Sequence, residues 1–437
     1  MTRLIATILW MALIGLTMPI GHAQDSPVAF VNAHILPVDG SPIESGVLII
    51  DDGKIIAVGN SDISIPANAR RVDLTGQVII PGLVDTHSHV GNYSRPDVPA
   101  NADGNEATDP ITPHIRALDA IWPADPGIRM ALAGGITTAN IMPGSGNVIS
   151  GQTAYVKLRG TSVDEMLIDE SIGGMKMANG ENPKSNYGSR NQAPQTRMAI
   201  AALARQAYAD AQHYQAQRQN RKRGKPPTHF DLGQEALNEV LAGDRIVQHH
   251  THRADDILTV LRIANEFDYR VVIQHGTEAW KVADELAAAD IPVSLIIIDS
   301  PGGKQEAIDY NEYAAKILHD AGVKIAIHTD DFINSSRFLL REGAMAVRFG
   351  LDETTALKAL TQNGAEMLDL GERVGSLTPG KDADFVVLSG KPFSVYTKVM
   401  ETWIEGERVF NRADPDDLRY ATGGFAVGDR YPTGGAQ

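Results

Sequence analysis

Pro81-Gly82-Leu83-Val84-Asp85-Thr86-His87-Ser88-His89 is an apolar run that ends in two histidines one residue apart. Side chains two apart on a strand point to the same face, so both imidazoles converge. Two neutral imidazoles at a strand end form a natural chelate for Zn²⁺ or a similar divalent ion. The pattern alone is weak, because exposed strands produce it too; its repetition carries the weight. Arg245–Gln248 leads into His249-His250-Thr251-His252, Val271–Gln274 into His275-Gly276, and Ile325–Ile327 into His328-Thr329-Asp330-Asp331. A single buried histidine is usually a satisfied core residue. Histidines ending four apolar strands, with carboxylates after the last, read as a metal-binding constellation.

Outward from these strands, the texture between residues 81 and 370 alternates. Strand-like runs at Val78–Val84, Ile136–Ile141, Arg245–Gln248, Arg270–Ile273, Ile291–Ile298 and Lys324–Ile327 are interleaved with helical stretches. The helices expected are Asp255–Phe267, Ala279–Ala289, Glu306–Ala321 and Thr354–Leu368, with Thr196–Arg223 as a long polar addition. Repeated βα units of this extent predict a (β/α)8 TIM barrel, in which strand ends face the active-site mouth. A doubly wound open sheet is the alternative, weakened because no Gly-rich phosphate fingerprint follows the early strands.

The flanks have a different texture. Val28–Leu36, Gly46–Ile50 and Lys54–Val58 are short strands, the last two joined by the hairpin signal Asp51-Asp52-Gly53. Asp384–Leu388, Val399–Ile404 and Val409-Phe410 repeat that texture near the other end. Residues 24–80 and 371–412 are therefore expected to combine into one small β-sandwich domain, leaving 413–437 as a tail without periodicity, partly disordered. The fold class is α/β: a TIM barrel carrying a small β-sandwich built from both chain ends.

Composition excludes several classes. A formal net charge of −15 over 437 residues offers no general field for nucleic acid. The basic run Arg218–Lys225 is read as a solvated helix end. With no cysteine, disulfides, thiolate ligands and thiol nucleophiles are absent. No Gly-x-Ser-x-Gly elbow supports a serine nucleophile, and the Gly-rich run Pro143–Asn147 lacks P-loop spacing. That run is open to reading as a loop over the site, backbone against substrate, or a plain turn cluster. Arg3, the apolar stretch Leu4–Ile20 and Gly21-His22-Ala23 have the form of a secretory signal peptide over residues 1–23, cut before Gln24. The stretch is marginal for spanning a bilayer, so a periplasmic or secreted chain without stable membrane insertion is expected.

The sequence resembles the amidohydrolase superfamily, above all its imidazolonepropionase-like and metal-dependent Xaa-Pro or Xaa-Arg dipeptidase (prolidase-like) branch. Two motifs carry the resemblance: Pro81–His89, matching the family's first barrel strand, and Gly375-Ser376-Leu377-Thr378-Pro379-Gly380-Lys381-Asp382-Ala383-Asp384, matching its return to the small β domain. The resemblance implies that His87 and His89 are first-strand metal ligands and that His250 is the fifth-strand ligand. His275 would be the sixth-strand histidine, which binds a second metal or polarises the substrate carbonyl. Asp330 matches the eighth-strand aspartate, both ligand and proton shuttle; Asp331 stands where the family often has histidine. Many members carry a carboxylated lysine bridging two metals on the fourth strand. Lys176 or Glu181 can supply such a bridge here; otherwise Lys176 anchors substrate at a one-metal site. His249, His252 and His328 adjoin the ligands and suit the orienting of them. Arg253 is open to a substrate carboxylate or to a salt bridge with Asp255 or Asp256.

The implied activity is hydrolysis of a C–N bond in a small amide or dipeptide-like molecule by metal-activated hydroxide, with one or two Zn²⁺ or similar ions per chain. Asp330 would move the proton while His275 helps to stabilise the oxyanion. A cyclic amide hydrolase or a deaminase on the same fold is the alternative, and a non-catalytic metal- or solute-binding module is the alternative of another class. A homo-oligomer is compatible with the sequence.

Overall fold

The computed structural model describes residues 26–220, 230–297 and 304–423; the expected signal peptide and cleavage point lie outside the described residues. Seventeen strands occur among them. Those of the first half are β1 Val28–Ile35, β2 Ile43–Asp51, β3 Lys54–Asn60, β4 Arg70–Asp73, β5 Val78–Pro81, β6 Leu83–Ser88, β7 Ile136–Ile141, β8 Ile149–Gln152, β9 Ala154–Lys157 and β10 Met175–Ala178. The second half adds β11 Val247–Thr251, β12 Val271–His275, β13 Val293–Ile296, β14 Ile325–His328, β15 Phe385–Leu388, β16 Val399–Ile404 and β17 Glu407–Asn411.

The run expected as one strand over Val78–Val84 is two. β5 pairs with β15, while β6 pairs with β7, and Gly82 between them donates its N–H to the Asp384 carbonyl. This is where the chain passes from one sheet to another. β1–β5 and β15–β17 form a single eight-stranded network, so both chain ends do share one sheet. Side-chain alternation gives that sheet two faces. Phe385, Val387 and Trp403 pack with Phe30 and Leu48, whereas Val386, Leu388, Val399 and Phe410 join the large core.

The large core lies among the remaining strands and the helices. β10 through β14 are parallel neighbours in sequence order. β14 meets β6 through Asp330 N–H to His87 O and His89 N–H to Asp331 O. β6 and β7 are parallel. Between β7 and β10, however, β9 and β8 run antiparallel to their partners, against the expectation of uniformly parallel strands. Only Thr153 separates β8 from β9, so the chain passes directly from the partner of β10 to the partner of β7 with no helical crossover between them.

Four helical expectations change, the first being Ala279–Ala289, which is a 3-10 turn, Ala279–Val282, followed by a short helix, Ala283–Ala288. Glu306–Ala321 is a short turn, Gln305–Ala307, and a helix, Ala314–Asp320. The Asn311 side chain accepts the Tyr313 N–H and competes with helix formation there. Thr354–Leu368 divides into Glu353–Ala359 and Gln362–Met367 at Thr361, whose hydroxyl bonds the Leu357 carbonyl. The tail holds a helix, Pro415–Thr422, capped by Asp414 and tied to Arg129 through Asp417. The long polar helix is present as Arg197–Gln219. No helix among the described residues is long and apolar enough to cross a membrane.

The Lys381–Asp384 motif has a physical role. Lys157, at the end of β9 and fully buried, reaches Asp382 at 2.5 Å, Asp384 at 3.2 Å and Glu405 at 3.1 Å. A buried cation surrounded by three carboxylates fixes the end-built sheet against β9.

Candidate active site

The ends of β6, β11, β12 and β14 bring His87, His89, His250, His252, His275, His328 and Asp330 together, and all six imidazoles are buried. Ring centroids are 5.1 Å apart for His87 and His89, 4.5 Å for His87 and His275, and 4.5 Å for His250 and His275. Five of the six spend Nδ1 on a nearby oxygen: His87 on Gln274 Oε1 at 3.1 Å, His89 on Met142 O at 2.8 Å, His250 on Ser145 Oγ at 2.9 Å, His252 on Thr277 Oγ1 at 2.7 Å and His328 on Ser294 Oγ at 2.7 Å. Each such contact fixes a ring and leaves Nε2 for the cluster, the arrangement that metal-binding histidines use.

Asp330 faces these nitrogens. Its Oδ1 is 3.2 Å from His89 Nε2 and 3.5 Å from His87 Nε2, and its Oδ2 is 3.9 Å from His275 Nδ1. Both Asp330 (φ 51°) and His275 (φ 71°) adopt left-handed backbone, sparsely populated for non-glycine residues and concentrated at functional sites. Burial raises the Asp330 carboxyl, but the hydrogen bond from His89 together with the electrostatic attraction of His89, His328 and Lys176 outweighs it and holds the group below the usual carboxylate range. Burial, then the neighbouring Lys176 charge, keeps His87 well below its ordinary value, and burial drives His252 and His328 down to about 3. These imidazoles are neutral and able to donate lone pairs.

Lys176, the second residue of β10, is completely buried among them. Its Nζ meets His87 Nε2 at 3.0 Å and Met142 Sδ at 3.0 Å, and burial pushes its ammonium down to about 7. Glu181, the other candidate bridge, is not among the grouped donors. It opens the helix Glu181–Gly188, its backbone bonds Glu306, and it belongs to neither three-residue group of possible ligands. Among the described residues those groups are His87, His89 and Asp330, and His87, His275 and His328, with donor atoms within 4.8 Å of one another.

For Arg253 the structure takes one of the two open alternatives, and His328 has a larger part than expected. Arg253 is not in the cluster: its exposed guanidinium makes a two-pronged bond with Asp255 at 2.9 and 2.9 Å, the salt-bridge alternative. His328, expected only to orient a neighbour, enters the cluster itself, with Nε2 3.1 Å from His275 Nδ1. His249 turns its Nδ1 to the His250 carbonyl. The Gly-rich run contributes Ser145, which holds His250, so it borders the site.

Several residues that position the site were not foreseen. Gln274 orients His87 and is itself held by Gln248 at 2.7 Å. Ser294 links His328 to Thr86. Asp331 is buried and accepts from Arg95 Nη2 at 2.5 Å, Ser336 N at 2.7 Å and Ser336 Oγ at 2.6 Å. Of these, Gln274 had a readable cue, standing directly before His275 on the strand, and Asp331 was noted beside Asp330 but without its partners.

The donor set fits a divalent ion on its own chemistry. His275 Nε2 and His252 Nε2 are buried without a hydrogen-bond partner, an expense that a lone-pair acceptor in the cluster would remove. Neutral imidazoles with one carboxylate are what zinc-like ions select.

Comparison with known proteins agrees with this geometry. The chain is 41% identical to an amidohydrolase of Thermotoga maritima MSB8, whose solved structure superposes with a TM-score of 0.85 over 88% of this chain and 100% of that one. It is 31% identical to the amidohydrolase tasK of Hapsidospora irregularis over 84% of this chain, though it spans only 40% of that relative's length. It is 24% identical to a 5-methylthioadenosine/S-adenosylhomocysteine deaminase of Symbiobacterium thermophilum, covering 82% of this chain and 84% of the relative. A prolidase complexed with N-methylphosphonate-L-proline shares the fold at 18% identity and a TM-score of 0.58, over 88% of this chain and 100% of that one. The model of the amidohydrolase family matches residues 78–409, a span holding every histidine and carboxylate of the cluster, and the chain belongs to that family.

Proposed function

We propose that this protein is an exported, metal-dependent amidohydrolase that cleaves the C–N bond of a small amide or dipeptide-like molecule. The observation that carries the reading is the ring of imidazoles around Asp330, five of the six oriented through Nδ1, with the Nε2 atoms of His252 and His275 buried and unpartnered. The reading includes closure of the two strand systems into one (β/α)8 barrel over residues 81–370, supported by the β14–β6 hydrogen bonds and by the single residue Thr153 between β8 and β9. It also includes a sandwich arrangement of the end-built sheet over 24–80 and 371–412, supported by the apolar core that its strands share. Export rests on the leader-like residues 1–23.

His87, His89 and Asp330 would hold one ion, and His250 and His275, with Lys176 as a carboxylated bridge, a second. Burial of Lys176 favours the neutral amine, the form that reacts with carbon dioxide. When bound, a zinc-like ion supplies Lewis acidity and brings the pKa of water down to about 7. Asp330, held ionised, accepts the proton of the attacking water and returns it to the departing nitrogen. If the site holds one ion only and His275 binds none, its free Nε2–H would instead steady the developing oxyanion. The protein walls around the imidazoles exclude bulk water and strengthen both interactions.

Deamination uses the same groups, and the similarity to a deaminase along most of both chains favours it as a second reading. The zinc-supplemented protein should release amine from a panel of dipeptides and N-acyl amino acids. Turnover confined to a parallel panel of nucleosides and nucleobases would replace the amide reading with deamination, and turnover of neither panel would remove both.

A further inference from the structure

The turn that follows Asp330 has its polarity inverted. Asp331 and Asn334 are buried, at 2% and 6% exposure, while Phe332 and Ile333 between them stand at 56% and 50%. A surface turn ordinarily sends polar side chains to water and tucks apolar ones inward. Here the backbone enforces the reverse. Ile333 N bonds Asp330 O at 2.6 Å, Asn334 N bonds Thr329 O at 3.1 Å, Asp331 is clasped by Arg95 and Ser336, and Asn334 Nδ2 bonds Ile297 O at 3.1 Å. The two apolar side chains are held out to solvent, two and three residues after the reactive carboxylate.

An aromatic wall connects Phe332 to the cluster, and Ile333 is exposed next to it in the chain. The Tyr93 ring lies edge-on to His89 at 5.5 Å on one side and to Phe332 at 5.5 Å on the other. Tyr93 is locked in place: its hydroxyl accepts from Asn105 Nδ2, and two glycines make room for it. A Cβ at Gly104 would stand 2.0 Å from Tyr93 Cε2, and one at Gly144 2.7 Å from its hydroxyl. A rigid aromatic face that begins at a ligand histidine and ends in exposed apolar side chains has the build of a specificity pocket.

We propose that Tyr93, Phe332 and Ile333 form an apolar subsite that receives the side chain on the leaving-amine half of the substrate. The side is chosen because Asp330, two residues before Phe332, is the group that hands a proton to the departing nitrogen. The substrate class is then an N-acyl or N-aminoacyl derivative of a large apolar amino acid. This rests on the hydrolase reading above.

The test compares the zinc-loaded full chain with its Phe332→Ser and Ile333→Ser variants, both changed at exposed positions that the fold tolerates. N-acetyl-phenylalanine and N-acetyl-aspartate are the substrates. The kcat/KM ratio of the first to the second is expected to exceed one in the parent and to fall about tenfold in the variants, mostly through KM. In parallel, calorimetric titration with L-phenylalanine as a product-like probe should show binding that weakens about tenfold in Phe332→Ser, while L-aspartate binds poorly throughout. An unchanged ratio, or an unchanged L-phenylalanine affinity, overturns the subsite. A drop in solution mass on either substitution also overturns it, assigning the patch to contact between copies of the chain. If neither acetylated substrate is turned over, the titration still decides the subsite, and the dipeptide and N-acyl amino acid panel separately decides the hydrolase reading.

Discussion

Asp330→Asn removes one anionic proton acceptor and puts an amide oxygen in place of one carboxylate ligand, with most of the other contacts kept. Asparagine is nearly isosteric and shares with aspartate a tolerance for left-handed backbone, so φ 51° is retained with the Asp330 N–H to His87 O bond of 3.0 Å. His87 and His89 keep their orienting contacts to Gln274 and Met142, and an amide oxygen still stands where Oδ1 lay, 3.2 Å from His89 Nε2. Positioned proton transfer is worth about 10²–10⁴ in rate. Because this carboxylate both takes and returns the proton, the loss belongs at the upper end, about 10⁴-fold or ~5.5 kcal/mol of barrier. The assay is amine release at saturating substrate, with zinc measured on the same preparation. kcat and kcat/KM should fall together, the pattern for an interaction made in the transition state. Activity within about threefold of the parent, below what proton transfer contributes, would refute Asp330 as the shuttle.

Other expectations follow from the surrounding contacts. Gln274→Ala frees the Nδ1 of His87 and should weaken zinc binding about 10–100-fold in a chelator competition, with secondary structure unchanged by circular dichroism. Lys157→Met leaves Asp384 buried without its cation and Asp382 with only Lys54 and Arg373, at a cost of about 3–5 kcal/mol, read as a melting temperature about 3–6 °C lower. The Asp382 carboxyl is pushed up by burial, but its bonds to Lys157 and Lys54 prevail and hold it below its ordinary value. A depressed folded value stabilises the fold above the unfolded value, and the benefit is lost as pH falls through the folded one. The stability gap between the parent and Asp382→Asn should therefore be full at pH 7 and shrink below about pH 4, measured by urea unfolding at several pH values.

Much of the site was legible because metal chemistry leaves its mark on single strands. His87 and His89 share a strand face by period alone, and His250, His275 and Asp330 each close an apolar run. What sequence could not supply was which side chains touch across strands. His328 and Asp330 are two apart, yet only the packing of β14 against β12 and β6 shows that both look inward. Lys176 and Glu181 looked equivalent as anions-to-be until β10 buried the first and the helix after Gly180 carried the second towards Glu306. Arg253 went to Asp255, two residues away, a local pairing that wins because it costs no reach across the site. In the fold, periodicity located most strands, but not the sheet change at Gly82 or the reversed direction of β8 and β9. Both depend on hydrogen-bond partners far along the chain.

Metal content is the most direct test of the proposed chemistry. Elemental analysis of the purified protein, produced with ample zinc, would be set beside a His87→Ala/His89→Ala double variant. About two zinc-like ions per chain in the parent, falling sharply in the variant, is the predicted result. A parent protein that binds none, with its fold intact, would contradict a metal-dependent hydrolase at these strand ends.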